Sequence, residues 1–356
     1  MKKTCVLVPV LGSGGVGKTT TSASLALALA EEGLKVVVIT VDPAHRLAQA
    51  LGLESLHHEP RRVKDFSNGG YIDALWLDQN NALEELVKRH SRDIPDIDRI
   101  VKNRLFRIIQ SQLGGIEEYL GVERILSLRD TGFYDVCVLD TPPSRHALDF
   151  LEAPRHLLKF FDEGVLKVFL AQSGDTQKGF FSKILNAGKT QVIEVFKNFL
   201  GKGFLGELAD LLGYLKPLHK VFTQTALDIE AWTKSPDYHL VLVSLLESNP
   251  LDEARLLSIE LDAKGLKEPS VVILNKSLPA TTPSATDLDL LSQEGKTFLL
   301  RAFEQQEKLR NKIQTAHFFG RIPIAHIPRQ SVTQMSQEEL LNIGRRVRKQ
   351  WPHKII

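Results

Sequence analysis

Two hydrophobic patterns alternate along this chain. Runs of consecutive apolar residues, typical of strands buried on both faces of a sheet, are followed by stretches with apolar residues at helical spacing. The predicted strands lie at 5–11, 35–40, 71–77, 134–139, 239–245, 270–274 and 321–327. The predicted helices lie at 19–32, 250–265, 286–316 and 335–349. This alternation predicts an α/β fold in which helices cover both faces of a mostly parallel sheet.

Two long segments lack strand patterns. Residues 79–130 have helical spacing with a break at Gly114-Gly115, and the stretch from about 150 to 235 is helical in pattern, with Gly-rich turns. No internal repeat divides the chain. We therefore interpret residues 1–356 as one domain with a helical subdomain inserted at approximately 80–130 and 150–235.

A glycine-rich loop joins the first predicted strand to the first predicted helix. Residues 12–19, GSGGVGKT, fit the motif G-x-x-x-x-G-K-[ST] in the strand–loop–helix setting that it requires. The glycines let backbone N–H groups turn inward around phosphate oxygens. Lys18 supplies a positive charge to the β- and γ-phosphates, the Thr19 hydroxyl can ligate Mg²⁺, and the helix N-terminus favours anions. The loop predicts a phosphate-binding site of the P-loop NTPase type.

Two carboxylates follow neighbouring predicted strands. Asp140 ends YDVCVL, where a metal-side carboxylate of a nucleotide site is expected, and we assign it to the outer shell of Mg²⁺. Asp42 follows KVVVIT, where a carboxylate can orient the attacking water. Each also precedes a potential helix, so an N-cap role is the alternative, and for Asp42 the spacing alone does not separate the two roles.

Composition and charge narrow the classes of partner. Lys plus Arg number 45 against 43 for Asp plus Glu, and a net charge of +2 argues against a surface that wraps nucleic acid. Hydrophobic residues make up 43% of the chain, which is typical of a globular protein, yet no apolar run approaches the ~20 residues that span a bilayer. Cys5 and Cys137 are too few for a disulfide framework and fit a reducing cytoplasm.

Three segments together resemble one family. The stretches GGVGKTT, TVDPAHRLAQALG and YDVCVLDTPPSRHALDFL resemble the P-loop, switch I and switch II of the ArsA-type ATPases. That family includes the arsenical-pump ATPase and the guided-entry ATPase for tail-anchored membrane proteins. Asn275-Lys276, at the end of SVVIL, resembles the family's adenine-contacting element. The resemblance covers the α/β core from end to end.

The resemblance implies a set of site residues. The nucleotide-binding positions would be Gly14, Gly15, Val16, Gly17, Lys18, Thr19, Thr20, Asn275 and Pro328, the last flanking the base. Thr19, together with Asp140 through water, would hold Mg²⁺. Asp42 and Lys18 would be the catalytic residues, with Asp42 positioning the hydrolytic water. Members of the family work as nucleotide-sandwich dimers that close on ATP and open after hydrolysis.

The chain departs from the family pattern in three ways. Ser13 stands where the family's signature lysine reaches across the dimer, so that charge must come from elsewhere or from a non-identical partner. Neither Cys5 nor Cys137 lies where the thiolates of a metalloid site would be needed, and both are interpreted as core. The CxxC zinc clasp of the tail-anchor ATPases is absent.

Phenylalanine is concentrated in one part of the chain. Residues 150–222 contain ten of the 17 phenylalanines, and residues 178–202 carry five lysines and one glutamate. Three interpretations remain open: a helical subdomain that packs its own apolar faces, a groove for a hydrophobic client helix, or an amphipathic contact with an anionic membrane.

The predicted function is that of a Mg-ATP-binding and hydrolysing dimeric switch, which couples nucleotide state to binding and release of a hydrophobic or membrane-protein partner. The dimer would be a homodimer or a heterodimer with a paralogous ATPase, located in the cytoplasm or peripheral at the membrane. The alternatives are a membrane-positioning ATPase of the MinD type, a metalloid-pump subunit and a small-molecule kinase.

Overall fold

A computed structural model describes residues 5–41, 45–77, 116–142, 148, 152–153, 221, 223–279, 288–289, 291–315, 318–330 and 335–351. The chain divides into two compact units. The first comprises Met1–Leu77, Ser127–Leu148 and Ala231–Ile356, and the second comprises Asp78–Leu126 and Asp149–Glu230. Most of the predicted helical segments at 80–130 and 150–235 lie outside the described residues, so the inserted subdomain stays a prediction.

The described strands form one sheet in the first unit, in the order β3-β4-β2-β5-β1-β6-β7-β8. These strands are β1 Val6–Leu11, β2 Lys35–Thr40, β3 Arg61–Asp65, β4 Tyr71–Trp76, β5 Val136–Asp140, β6 Val241–Leu245, β7 Val271–Ser277 and β8 Ile324–Pro328. All neighbours are parallel except β3 and β4. The predicted α/β class with a mostly parallel sheet is confirmed.

The helices of the described part are α1 Lys18–Glu31, α2 His45–Leu51, α3 Ile116–Asp130, α4 Ser248–Ala263, α5 Gln293–Thr315 and α6 Gln337–Gln350. Helix α5 begins seven residues later than the helix predicted from 286. The backbone N–H of Gly295 donates to the Ser292 hydroxyl at 3.2 Å, a side-chain cap that marks the start of this helix. No helix among the described residues is long and apolar enough to cross a membrane.

Strand β3 was not predicted from the sequence. Its residues, RRVKD, are mostly polar, because this antiparallel strand lies at the edge of the sheet and buries little. Arg62 Nε donates to Asp73 Oδ1 at 2.5 Å, and the Arg62 guanidinium lies 3.8 Å from the centre of the Tyr71 ring. The Tyr134 hydroxyl donates to the other oxygen of Asp73 at 2.9 Å. Charged contacts thus hold an edge strand whose polar residues also discourage pairing with another chain.

Helix α1 lies in the centre of the core. Its SASLALALA stretch is buried throughout, because the helix packs on the sheet on one side and on α6 on the other. Gly344 of α6 makes the close approach possible: a Cβ there would overlap the Ser24 carbonyl oxygen and come within 2.8 Å of the Ala28 Cβ. Partly exposed ion pairs from Arg345 to Glu31 and from Arg348 to Glu32 border this contact.

We expect Gly344→Ala to destabilise the protein by about 1–3 kcal/mol, since the added methyl group forces α6 away from α1. The helix propensity of alanine opposes this by about 1 kcal/mol at most. Gly295→Ala is the matched control, because a Cβ on this helical glycine of α5 meets its nearest neighbour, the Ser292 hydroxyl, at 3.3 Å. Urea unfolding of both variants measures the difference. Equal stability of the two variants would show that the α1–α6 approach can relax without cost.

A candidate nucleotide-binding site

The glycine-rich loop connects β1, in the middle of the sheet, to the start of α1. A Cβ on Gly12 would overlap the carbonyl oxygen of Val243 on β6, so the loop passes too close to that strand for any larger residue. Gly17 is the N-cap of α1 and has a left-handed backbone with φ 97°. Both glycines are therefore required by the path of the loop, and the N-terminal N–H groups of α1 face the site that the loop surrounds.

Lys18 is the first residue of α1 and is buried. Its ammonium donates to the carbonyl oxygens of Gly12 at 3.0 Å and Ser13 at 3.1 Å. The side chain therefore folds back along its own loop, and the positive charge lies at the loop's first two residues. A compact cation held by a rigid loop is suited to bind phosphate oxygens.

Asp140 ends β5, and its carboxylate is buried beside α1. Its Oδ1 accepts a hydrogen bond from the Ser22 hydroxyl at 3.5 Å, and its Oδ2 accepts one from the Thr40 hydroxyl at 3.2 Å. The next residue, Thr141, donates to the Val10 carbonyl at 2.7 Å, which ties the end of β5 to β1. The carboxylate thus lies next to the helix that begins with Lys18 and Thr19. The alternative N-cap role of Asp140 stays a prediction, because residues 143–147 lie outside the described residues.

Asn275, near the end of β7, contacts the glycine-rich loop from the opposite side. Its Nδ2 donates to the Val16 carbonyl at 2.8 Å, and its Oδ1 accepts from the Lys276 backbone N–H at 2.8 Å. Lys276 has a left-handed backbone with φ 53°, and its ammonium lies 3.5 Å from the Gly15 carbonyl oxygen. Besides any role at the base, these two residues fix the outward carbonyl groups of the loop, which leaves the loop N–H groups to turn inward.

Pro328 ends β8, at the same edge of the sheet as Asn275. It is paired in register with Ser277, and the Arg329 backbone N–H donates to the Ser277 carbonyl at 3.0 Å. The carboxyl ends of β1, β5, β7 and β8 therefore bring together the loop, Asp140, Asn275 and Pro328. This is the edge of an open α/β sheet at which ligands bind.

Some of the predicted residues fall outside the described part of the chain. Asp42 is one of them, and so are residues 143–147 of the predicted second switch. Residue Val41, directly before Asp42, is described, and its backbone N–H lies 3.4 Å from the Asp140 carbonyl oxygen. The chain therefore leaves β2 toward Asp42 beside the end of β5.

Three polar residues of the site were not singled out from the sequence for the contacts they make: Ser22, Thr40 and Lys276. Thr40 is the one polar residue in the buried run VVVIT, and a hydroxyl at the last position of a buried strand was a signal that could have been used. Ser22 carries no comparable signal, and Lys276 was noted only as part of the element that resembles the family's adenine contact. Their contacts depend on the register between elements that are far apart in sequence.

The oxygen ligands present here fit Mg²⁺ better than a soft metal. Thr19 and Asp140 offer a hydroxyl and a carboxylate, which hard cations prefer. The two cysteines lie elsewhere: both are buried, with their sulfur atoms 3.6 Å apart, and the hydrogen bond between the two thiols together with burial raises the pKa of Cys137 well above its usual range. Within the described residues, no group of three or more His, Cys, Asp or Glu side chains could hold a metal ion.

Comparison with known proteins identifies the class. The family model described as anion-transporting ATPase, ArsA_ATPase, matches residues 5–344, and the chain belongs to this family. The family predicted from the three motifs is confirmed. The predicted class of enzyme, an ATPase, is confirmed as well. As a member of an ATPase family, the chain binds nucleotide.

Several relatives carry ATPase names. The ATPase GET3 of Malassezia globosa is 29% identical over 261 residues, which cover 73% of this chain and 70% of that protein. The ATPase ASNA1 homolog of Babesia bovis is 33% identical over 196 residues, 51% of each chain. The ATPase get3 of Aspergillus terreus is 34% identical over 159 residues, 44% of this chain and 46% of that protein. The match therefore spans about half the length of the last two relatives.

Proposed function

We propose that this protein binds Mg-ATP at the glycine-rich loop and hydrolyses it as a dimeric switch. The observation that carries the proposal is the arrangement of Lys18, Asn275 and Asp140. Lys18 and Asn275 both contact the glycine-rich loop, and Asp140 at the end of β5 bonds Ser22 of the helix that follows this loop. A cation, a carboxylate and an amide in these positions supply what a nucleoside triphosphate site requires.

Each residue has a distinct task in this mechanism. Lys18 binds the β- and γ-phosphate oxygens, and the loop N–H groups from Gly14 to Thr20 surround them. Thr19 and, through water, Asp140 would hold Mg²⁺, which would supply positive charge to the phosphates. Asp42 orients the attacking water and accepts its proton. Asn275 contacts the adenine with the donor proton that remains after its bond to Val16, and Pro328 flanks the base.

The coupling to a partner rests on the family and on the Phe-rich segment. Residues 150–222 carry ten phenylalanines. Most of this segment lies outside the described residues, so its three interpretations stay predictions. Of these, capture of a hydrophobic helix agrees with the GET3 names among the relatives. The dimer pairs two identical chains or this chain with a paralogue. Ser13 favours a paralogue. This chain lacks the lysine that would act across the dimer, and a non-identical partner could supply that charge.

Asp42→Asn tests the catalytic step. We expect ATP turnover to fall by about 10²–10⁴-fold, because the amide cannot accept a proton, while ATP affinity changes little. Turnover and equilibrium binding of ATP would be measured on the same preparations, with light scattering for mass with and without ATP. Asp262→Asn is the matched control, since this exposed carboxylate of α4 lies outside the site. Turnover by Asp42→Asn at the level of this control would remove Asp42 from the mechanism.

The ATP-bound Asp42→Asn protein also tests the switch. A doubled mass in ATP but not ADP supports a homodimer; a mass that rises in ATP only after a paralogue is added supports a heterodimer. The trapped protein would then be offered a peptide with one hydrophobic helix and, separately, vesicles of anionic lipid. Retention of the peptide in ATP and its release in ADP supports the client proposal. ATP-dependent binding to the vesicles alone would support membrane positioning instead.

A further inference from the structure

The Asp140 carboxylate is fixed by two hydroxyl groups from different elements. It is 1% exposed, and a buried carboxylate is costly unless hydrogen bonds stabilise its charge. The Thr40 hydroxyl donates to one oxygen at 3.2 Å and the Ser22 hydroxyl to the other at 3.5 Å. The plane of the carboxylate is thereby set jointly by the end of β2 and by the second turn of α1.

Thr40 is itself held rigidly. It is paired directly opposite Asp140 in the parallel register of β2 and β5, and it is 1% exposed. Its carbonyl oxygen accepts a hydrogen bond from the Leu77 backbone N–H at 3.0 Å, and the N–H of the next residue, Val41, lies 3.4 Å from the Asp140 carbonyl oxygen. The backbone of Thr40 is therefore fixed, and its hydroxyl can orient the Asp140 carboxylate.

We propose that Thr40 is a positioning residue of the ATPase site, which orients Asp140 for Mg²⁺ and joins it to the segment that carries Asp42. The hydrogen bond from the Thr40 hydroxyl joins the Asp140 carboxylate to the end of β2. Asp42 follows Thr40 by two residues along the chain. The inference rests on the proposed function, because it takes Asp140 as the carboxylate on the metal side.

Thr40→Val tests this inference, since valine keeps the shape of threonine and replaces the hydroxyl with a methyl group. Partners that orient a metal-binding group typically change metal affinity by about 10–100-fold when they are lost. We expect the Mg²⁺ concentration at half-maximal ADP binding to rise about 10-fold or more, while ADP affinity in EDTA stays unchanged. Thr40→Ser keeps the hydroxyl and should restore the Mg²⁺ midpoint. A merely structural role of Thr40 would weaken binding equally with and without Mg²⁺.

A double-variant comparison separates orientation from a general loss of packing. The double variant with Asp140→Asn and Thr40→Val should have the same Mg²⁺ midpoint as Asp140→Asn alone, because both substitutions act through one carboxylate. Thermal unfolding of each variant without nucleotide reports whether it folds. Should Thr40→Val be unfolded, the midpoint of Thr40→Ala decides: a raised value supports the inference, and a wild-type value overturns it.

The possible failures are distinguishable. If wild-type protein binds ADP with Mg²⁺ dependence and folded Thr40→Val has the same midpoint, the inference on Thr40 is wrong and the proposed function stands. If the wild-type protein binds nucleotide with no Mg²⁺ dependence, the proposed metal site itself fails, and the role of Thr40 falls with it.

Discussion

Replacing Lys18 with methionine is expected to reduce ATP turnover by about 10²–10³-fold, the usual effect of removing one preorganised charge from a reaction site. Methionine retains the length and apolar part of the side chain but cannot donate to Gly12 or Ser13, which the ammonium contacts at 3.0 and 3.1 Å. The variant therefore loses both the charge offered to the phosphates and the bonds that fold the loop. Steady-state turnover and equilibrium binding of ATP would measure the two losses.

Two other lysines provide controls for this substitution. Lys308→Met removes an exposed ammonium on α5 and should leave turnover unchanged. Lys276→Met removes the ammonium 3.5 Å from the Gly15 carbonyl and should have a smaller effect than Lys18→Met, because this group is exposed and contacts the outside of the loop. Turnover by Lys18→Met within about threefold of wild type would contradict the assignment of the loop as the phosphate site.

Gly17→Ala is expected to destabilise the fold through two separate causes. The left-handed backbone at φ 97° disfavours alanine by about 1–3 kcal/mol. In addition, a Cβ there would overlap the Asn275 amide, so the bond from that amide to the Val16 carbonyl must break. Leaving this buried carbonyl unpaired costs about 1–3 kcal/mol more. Urea unfolding would measure the sum, and ATP binding should fall with it.

Gly15→Ala separates the two causes. Gly15 also has a left-handed backbone, φ 78°, but a Cβ there meets nothing within 4 Å. This variant therefore carries the backbone strain without the collision, and its free energy of unfolding should fall by the strain alone. If Gly15→Ala and Gly17→Ala lower the free energy of unfolding equally, the contact between Asn275 and the loop contributes nothing to stability.

The sequence predicts those parts of this protein that local patterns determine. The parallel strands are mostly buried and mostly apolar, and the glycine-rich loop has a fixed spacing, so both can be recognised along the chain. Strand β3 was missed because an exposed edge strand needs no apolar face, and its polar residues resemble a loop. The contact of Thr40 with Asp140 could not be predicted, because it depends on the register of two strands 100 residues apart.

Asn275 shows what a family resemblance leaves out. The resemblance implies a contact with the adenine, and the structure places the amide on the Val16 carbonyl instead of leaving it open toward the base. An asparagine has two donor protons and two acceptor positions, so one side chain can serve both the loop and a ligand. A motif identifies the residue, but only the packing of β7 against the loop reveals this second contact.

The close packing of α6 on α1 has a consequence for biosynthesis. The bond between Arg345 and Glu31 joins residues 314 positions apart, so the helix that begins the phosphate site emerges from the ribosome long before the helix that covers it. At about 5–20 residues per second, the delay is roughly 15–60 s. During that interval the apolar α1 lacks one of its two packing surfaces. Binding of a chaperone to the nascent α1 would therefore protect this protein during its synthesis.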